Sequence, residues 1–308
     1  TAIAEEEGTA LAATVGGLAQ AFLTKAEGKR FSPLSEACAT VYRRLDAPTP
    51  AGRIDTGFSK LDRVLFGMWP GQLCIIGARP GVGKSAFALH LAATAAQSGK
   101  RVLLFSLEMT ADEIAERLIA RNSTATLDTL IDGTKDVQRV REIGDVCKSL
   151  SSLPLTICDQ PDISIAQVRA KARMLPDLSM IVVDYLGLMQ TQRRDNRNLE
   201  LGELSRSLKN LASELKIPIV ALSQLNRGTD ETEQPSLRSL RDSGEIEQDA
   251  AKVILLWNID RTTGTVGVSV AKNRRGATGI VQMHFDGSHM RFYELESEYI
   301  PPKPKRIF

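Results

Sequence analysis

The run Gly77-Ala78-Arg79-Pro80-Gly81-Val82-Gly83-Lys84-Ser85 carries the residue types that hold a polyphosphate. An apolar run, Leu73-Cys74-Ile75-Ile76, precedes it, and a helix-like run, Ala86 to Ala92, follows. Strand, glycine-rich loop and helix is the arrangement such a cradle needs. Backbone N–H groups of the loop converge on phosphate oxygens, and the helix N-terminus adds partial positive charge. Lys84 would reach the β- and γ-phosphates of a nucleotide, and the Ser85 hydroxyl would ligate Mg²⁺. The general pattern, G-x-x-x-x-G-K-S/T, asks for glycine at position 78, where this chain has Ala78. A glycine-rich turn formed by chance is the competing explanation. The flanking elements and the Gly-Lys-Ser ending argue against it.

Three further polar residues follow apolar, strand-like runs. Glu108 comes after Arg101–Ser106, Asp184 ends Met180–Val183, and Gln224 comes after Ile217–Leu222. In open α/β sheets, ligands sit at the carboxyl ends of strands. There Asp184 would hold Mg²⁺, Glu108 would take the proton from an attacking water, and Gln224 would sense the γ-phosphate. Each signal alone is weak, because a carboxylate after a strand is often only an N-cap. In this order, after a phosphate loop, they reinforce one another. A basic turn with Lys272, Arg274 and Arg275 could supply cationic help for transition-state charge on a neighbour's nucleotide. Taken alone, it also fits a solvated hairpin tip. The run Arg193-Arg194-Asp195-Asn196-Arg197 fits a solvated charge run as well as a DNA-facing loop.

The elements that must position these groups follow from pattern. From about Gly52 the chain alternates strand and helix, the signature of a parallel α/β sheet. Strands are expected at Leu73–Ile76, Arg101–Ser106, Leu155–Cys158, Met180–Asp184, Ile217–Leu222 and Val253–Trp257, with a helix from about Leu199 to Leu215. Thr110-Ala111-Asp112-Glu113 and Ser164-Ile165-Ala166-Gln167 are capping boxes that open helices. After residue 265 the alternation stops. Val266–Val270 and Ile280–Phe285 flank the basic turn and read as an antiparallel hairpin. Pro33 opens a short helix with Leu34, Cys38, Val41 and Leu45 on one stripe. That stripe either folds back on its own domain or docks on a neighbouring subunit. Residues 1–31, rich in Ala, Gly, Thr and Glu, read as a tail or the remnant of an upstream domain.

Composition sets the bounds. The chain has 308 residues, enough for one large domain and an appendage, with 43% hydrophobic and 25% charged residues. A net charge of +2 does not announce a nucleic-acid binder, so any such surface must be a local cluster. Aromatic content of 5% argues for backbone electrostatics over base stacking. Cys38, Cys74, Cys147 and Cys158 are scattered, with no C-x-x-C pair, and read as buried free thiols in a reducing compartment. No zinc site is visible, and no apolar run reaches membrane-span length. The chain opens at Thr1, as a processed or truncated product would.

Several strings together resemble the DnaB-type replicative helicase family. They are Ala78-Arg79-Pro80…Gly83-Lys84-Ser85, Phe105-Ser106-Leu107-Glu108-Met109, Val183-Asp184-Tyr185-Leu186-Gly187-Leu188-Met189 and Ala221-Leu222-Ser223-Gln224-Leu225-Asn226-Arg227. Leu240-Arg241-Asp242-Ser243-Gly244-Glu245-Ile246-Glu247-Gln248-Asp249-Ala250 and Ala271-Lys272-Asn273-Arg274-Arg275-Gly276 complete the set. Ala78 is that family's own usage. The match runs from about Ser32 to the end. The family's N-terminal helical domain, through which primase docks, is not recognisable in residues 1–31.

The resemblance implies a RecA-like P-loop fold over residues 51–308, with a mostly parallel sheet flanked by helices and a C-terminal antiparallel hairpin. Residues 32–50 would be its linker helix. It implies ATP and Mg²⁺ held by the loop Ala78, Arg79, Pro80, Gly81, Val82, Gly83, Lys84 and Ser85, together with Asp184. Glu108 would be the catalytic base and Gln224 the sensor. Arg274 would be an arginine finger in the neighbouring subunit's site, with Lys272 as a second γ-phosphate contact. Arg275 stands where the family often has Asn. Arg241, Asp242 and Gly244 would line a channel for single-stranded DNA; Arg194 and Arg197 would join them if their basic run faces the DNA, a reading that comes from the run itself and not from the resemblance. The family often has Glu where this chain has Asp242. The implied protein is a homo-hexameric, ATP-driven helicase of the cytoplasm and nucleoid, with a helicase loader and primase as partners. Two other classes share the phosphate loop: a filament-forming recombinase and an ATP-gated regulatory module. The Lys272–Gly276 and Arg241–Ala250 strings argue against the first. An ATPase indifferent to single-stranded DNA would mark the second.

Overall fold

The computed structural model describes residues 33–45, 52–190, 197–225 and 232–295. The chain divides into two units, Thr1–Ala51 and Gly52–Phe308. In the first unit the described element is helix α1, Leu34–Leu45. Leu34 and Val41 of its apolar stripe are exposed.

The second unit is built on a nine-stranded sheet among the described residues, in the order β3-β2-β4-β5-β1-β6-β7-β8-β9. The strands are β1 Leu73–Ala78, β2 Arg101–Ser106, β3 Leu155–Cys158, β4 Leu178–Asp184 and β5 Ile219–Gln224, then β6 Lys252–Asp260, β7 Thr265–Asn273, β8 Gly279–Asp286 and β9 Arg291–Glu294. β1 to β5 pair in parallel, and β6 joins them parallel to β1. From β6 to β9 all pairings are antiparallel. The expected single hairpin is therefore the middle of a four-strand antiparallel wing. The connections explain the change. Only four residues separate β6 from β7, and a parallel return needs a crossover of a dozen or more.

The helices are α2 Ser59–Leu65, α3 Lys84–Gln97, α4 Ala111–Asn122, α5 Leu127–Asp132, α6 Val137–Ser151, α7 Ile165–Met174, α8 Arg197–Leu215 and α9 Gly244–Asp249. Both expected capping boxes form, Thr110 with Glu113 at α4 and Ser164 with Gln167 at α7. The short helices α2 and α5 and the edge strand β9 span too few residues to show a period. Helix α6 carries an apolar stripe, Val137, Val140, Ile143, Cys147 and Leu150, although none of its residues is fully buried; it is not among the elements expected above.

Alternate residues of the central strands feed two cores. Cys74 and Ile76 of β1 join the α3 side, while Leu73 and Ile75 join the α8 side. That is the period-two geometry of a strand covered on both faces. α3 is buried nearly all round, from Ala86 to Ala96, as its alanine-rich and leucine-rich sequence requires. The expectation of buried thiols holds for Cys74 alone. Cys38 is exposed, Cys147 and Cys158 are half-buried, and all four are free.

His90 is the polar exception inside α3. It stacks on Phe58 at 4.0 Å between ring centroids, with Nε2 3.1 Å from the Thr56 carbonyl and Nδ1 2.9 Å from Arg121 Nη2. Arginine only donates, so Nδ1 accepts and Nε2 carries the proton given to Thr56. Burial, then the Arg121 charge, pushes the His90 pKa down to about 3. The unfolded chain binds that proton at the ordinary value of 6.5. Stability is therefore lost as pH falls below 6.5 and continues to fall toward 3. His90 should contribute up to about 1.4 kcal/mol per pH unit in that window. Urea unfolding at pH 7 and pH 5 should show this slope, and His90→Gln should flatten it.

Candidate active site

Strand register levels the chemical groups. Ala78 pairs with Gln224, and Ser106 pairs with Asp184. Cross-links hold the ends in line: Leu107 N–H donates to Asp184 O at 2.8 Å, and Leu225 N–H donates to Ala78 O at 3.0 Å. With β2, β4, β5 and β1 side by side, Glu108, Asp184, Gln224 and the loop follow one another along one edge. Neighbouring strands are about 4.8 Å apart, so the row spans roughly 14 Å, the scale of a nucleotide triphosphate.

The loop runs from Arg79 to Gly83 between β1 and α3. Gly81 and Gly83 have φ of 78° and 91°, which side chains rarely adopt. A Cβ at Gly83 would also lie 3.0 Å from both Phe285 and Phe292 ring atoms. Gly83 caps α3 without a side-chain hydrogen bond, and the first turn holds no acid. The opening N–H groups of the helix are thus left for an anion. Ala78 and Val82 are buried and anchor the two ends of the loop.

A cavity of about 350 Å³ opens above the loop, with Lys84, Ser85, Glu108, Tyr185 and Gln224 on its walls. Its far side is closed by Arg117, Phe285 and Met290, which carry no motif of their own. They come from α4 and from the β8–β9 end of the wing, and only the fold brings them here. Tyr185 stood beside Asp184 in the sequence. Glu108 and Gln224 are exposed to the cavity. Asp184 is buried, and with Ser85 it lines a small gap beneath.

Lys84 Nζ sits 3.6 Å from Asp184 Oδ1 and 4.3 Å from the Tyr185 ring centroid. Burial pulls the Lys84 pKa down, opposed by the Asp184 and Glu108 carboxylates. Asp184 Oδ1 is buried, with the Lys84 ammonium as its ion-pair partner and no contact at hydrogen-bond length. Such an oxygen is costly unless a cation or water completes it. One carboxylate and one hydroxyl suit Mg²⁺, which takes its other ligands from phosphates and water. Among the described residues no group of three or more metal-ligating side chains exists that would suit a protein-only cage.

The structure separates Lys272 and Arg274 from this cavity. Ala78 is level with Leu256, Lys252 with Cys74, and Asn273 with Lys252. The β7–β8 turn therefore stands at the other end of the sheet, about 16 Å farther along the strand direction. There Lys272 Nζ donates to Glu247 O, and Arg274 Nη2 donates to Gln248 O at 2.6 Å. Burial, then the Arg274 charge, lowers the Lys272 pKa. Arg275 lies over the Trp69 ring at 4.6 Å. Arg241 and Asp242 fall in a 3-10 segment, Leu237–Ser243, interrupted at Leu240, and Gly244 opens α9. Arg197 likewise opens α8. Arg194 lies outside the described residues, as do Asn226 and Arg227.

A phosphate cradle at the carboxyl edge of such a sheet, continued by an antiparallel wing, defines a RecA-like P-loop NTPase. The chain belongs to the DnaB-like helicase C-terminal domain family, which matches residues 53–294. It is 38% identical over 286 residues to the replicative DNA helicase DnaB of Leifsonia xyli subsp. xyli, covering 87% of this chain. It spans only 63% of that helicase's length. A solved ATPase domain matches with TM-score 0.80 and 29% identity, over 86% of this chain and 100% of that one. A DnaB-like replicative helicase, solved in a study of its interactions with primase, matches with TM-score 0.77 and 28% identity, over 91% of this chain and 71% of that one. No helix among the described residues is long and apolar enough to cross a membrane.

Lys84→Ala should abolish most ATP turnover and leave the fold intact, because Lys84 faces the cavity and not the core. Turnover and circular dichroism check both halves. A melted spectrum would make Lys84 a structural residue.

Proposed function

We propose that this chain is the motor part of a ring-forming replicative DNA helicase. Six copies would hydrolyse ATP at their interfaces, move along single-stranded DNA and unwind duplex in the cytoplasm, at the nucleoid. The observation that carries the reading is the placement of cationic and phosphate-binding groups at opposite ends of one sheet. A turn about 16 Å from its own cavity does not reach its own nucleotide, so any nucleotide it serves would belong to another copy. Each interface then unites one copy's loop with its neighbour's Arg274.

In this reading the loop N–H groups and Lys84 hold the β- and γ-phosphates. Ser85 and Asp184 hold Mg²⁺, which supplies neutralising charge to the phosphates when bound. Glu108 accepts the proton of the attacking water from its exposed position in the cavity. Gln224 ends β5 beside Ala78 and reports the γ-phosphate's presence through that strand. The guanidinium of the neighbour's Arg274 leaves the Gln248 carbonyl and meets the developing charge, with Lys272 behind it. Arg194, Arg197, Arg241, Asp242 and Gly244 would hold the single-strand backbone in the channel. Residues 32–50 would link to an upstream domain, and a loader and primase would be partners of the whole protein.

Arg274→Ala should bind ATP nearly normally and turn it over roughly 10³-fold or more slowly. Mixed with Lys84→Ala, it should regain activity, because some interfaces then pair a sound loop with a sound finger. Basal turnover without DNA is the assay, and the regained activity should vanish on dilution below the assembly concentration. Full activity of Arg274→Ala alone would transfer the assignment to Arg275.

Arg241→Ala should weaken single-strand binding and reduce its salt slope by about one counterion. An unchanged slope at matched oligomer mass would remove Arg241 from the channel.

A further inference from the structure

Lys252 has no part in the chemistry above, yet its side chain is 1% exposed at the start of β6. Cys74 of β1 is its register partner. Burial pushes the Lys252 pKa down to about 8, against the Cys74 thiol and with the Arg275 guanidinium. A buried ammonium is disfavoured unless its hydrogen bonds are made. Lys252 Nζ donates to the Leu65 carbonyl at the end of α2 and to Asn273 Oδ1 at 3.0 Å.

Asn273 is the hub of the β7–β8 turn. Its Nδ2 lies 3.0 Å from Val64 O, 3.2 Å from Leu65 O and 3.2 Å from Ala277 O. Its Oδ1 also accepts the Arg275 N–H at 3.2 Å. An ammonium only donates, so Lys252 allows one orientation of the Asn273 amide, oxygen inward. That orientation points Nδ2 at the α2 carbonyls and lets Oδ1 hold the backbone of Arg275. On its other flank the turn is tied by Arg274 N–H to Ala251 O at 3.0 Å, one residue before Lys252.

We propose that Lys252 is a positioning residue for the neighbour's nucleotide site: by orienting Asn273 it sets the backbone of the turn that presents Arg274. The inference rests on the reading of Arg274 as a group acting in trans. It makes a core residue at the amino end of the sheet matter to chemistry on another copy. Lys252 itself touches neither nucleotide nor phosphate.

The test is Lys252→Met, which keeps the volume and removes the donors, compared with Arg274→Ala and the double variant in the assembled protein. Turnover should fall roughly 10- to 100-fold, the cost of about an ångström of misplacement, with KM for ATP changed less than about twofold. The melting temperature should hold or rise, since a buried charge is gone. The double variant should be no slower than Arg274→Ala, because both act through one group. Full turnover in Lys252→Met beside an inactive Arg274→Ala overturns the positioning role and leaves the trans reading standing. Full turnover in Arg274→Ala removes Arg274 from the neighbour's site and overturns this inference with it. A lower melting temperature, lost ring mass, or losses that multiply in the double variant overturn the inference by making Lys252 a general structural residue.

Discussion

A sheet covered on both faces leaves only its ends for chemistry, and the rest of this structure depends on that constraint. The strands β1, β2, β4 and β5 are apolar along almost their whole length, with side chains feeding one core or the other. A polar group within them would lose its water with nothing in return. Polar residues therefore collect where strands stop. The parallel arrangement points all the stops of these four strands the same way. Glu108, Asp184, Gln224 and the phosphate loop share an edge for this reason and not by individual placement.

The same constraint bears on two cations, the half-buried Lys84 and the buried Lys252, one at each end of the sheet. Lys84 is at the carboxyl edge, where the Asp184 and Glu108 carboxylates oppose the burial that draws its pKa down. Lys252 is inside the opposite end, where a carbonyl and an amide oxygen accept its hydrogen bonds and its pKa drops to about 8. One cation is poised to exchange a carboxylate for phosphate. The other is spent on geometry. The antiparallel wing connects the two ends: its β8–β9 end puts Phe285 and Met290 on the nucleotide cavity, and its β7–β8 turn carries Arg274.

Much of the fold was legible because its signals are local. Thr110 with Glu113 and Ser164 with Gln167 read as helix starts, since a cap acts over three residues. The central strands read from continuous apolar runs, and their boundaries moved by only a few residues. α6 has a legible stripe, Val137, Val140, Ile143, Cys147 and Leu150, that was not among the expected elements; its register on the domain is set by tertiary contacts, since no residue of it is fully buried. β9 did not read, because Arg291–Glu294 is a four-residue edge strand whose stability comes from pairing with β8. The cysteines misled for a related reason: an apolar run around Cys158 marks a strand, and the strand is at the sheet's edge, where covering is incomplete.

By itself the sequence determined the phosphate loop, the strands that end in Asp184 and Gln224 or just before Glu108, and the family to which these strings point. Each of those is a relation between residues near in the chain, and chain neighbours constrain one another in any fold. Only the tertiary structure decided which strand ends adjoin, that Asp184 Oδ1 is buried with the Lys84 ammonium as its ion-pair partner, and that Arg117, Phe285 and Met290 close the cavity. It alone placed the Arg274 turn at the far end of the sheet, over a Lys252–Asn273 pair that no motif announces. Those facts are set by strand order and register, which join residues as far apart in the chain as Cys74 and Lys252, and no local pattern encodes them.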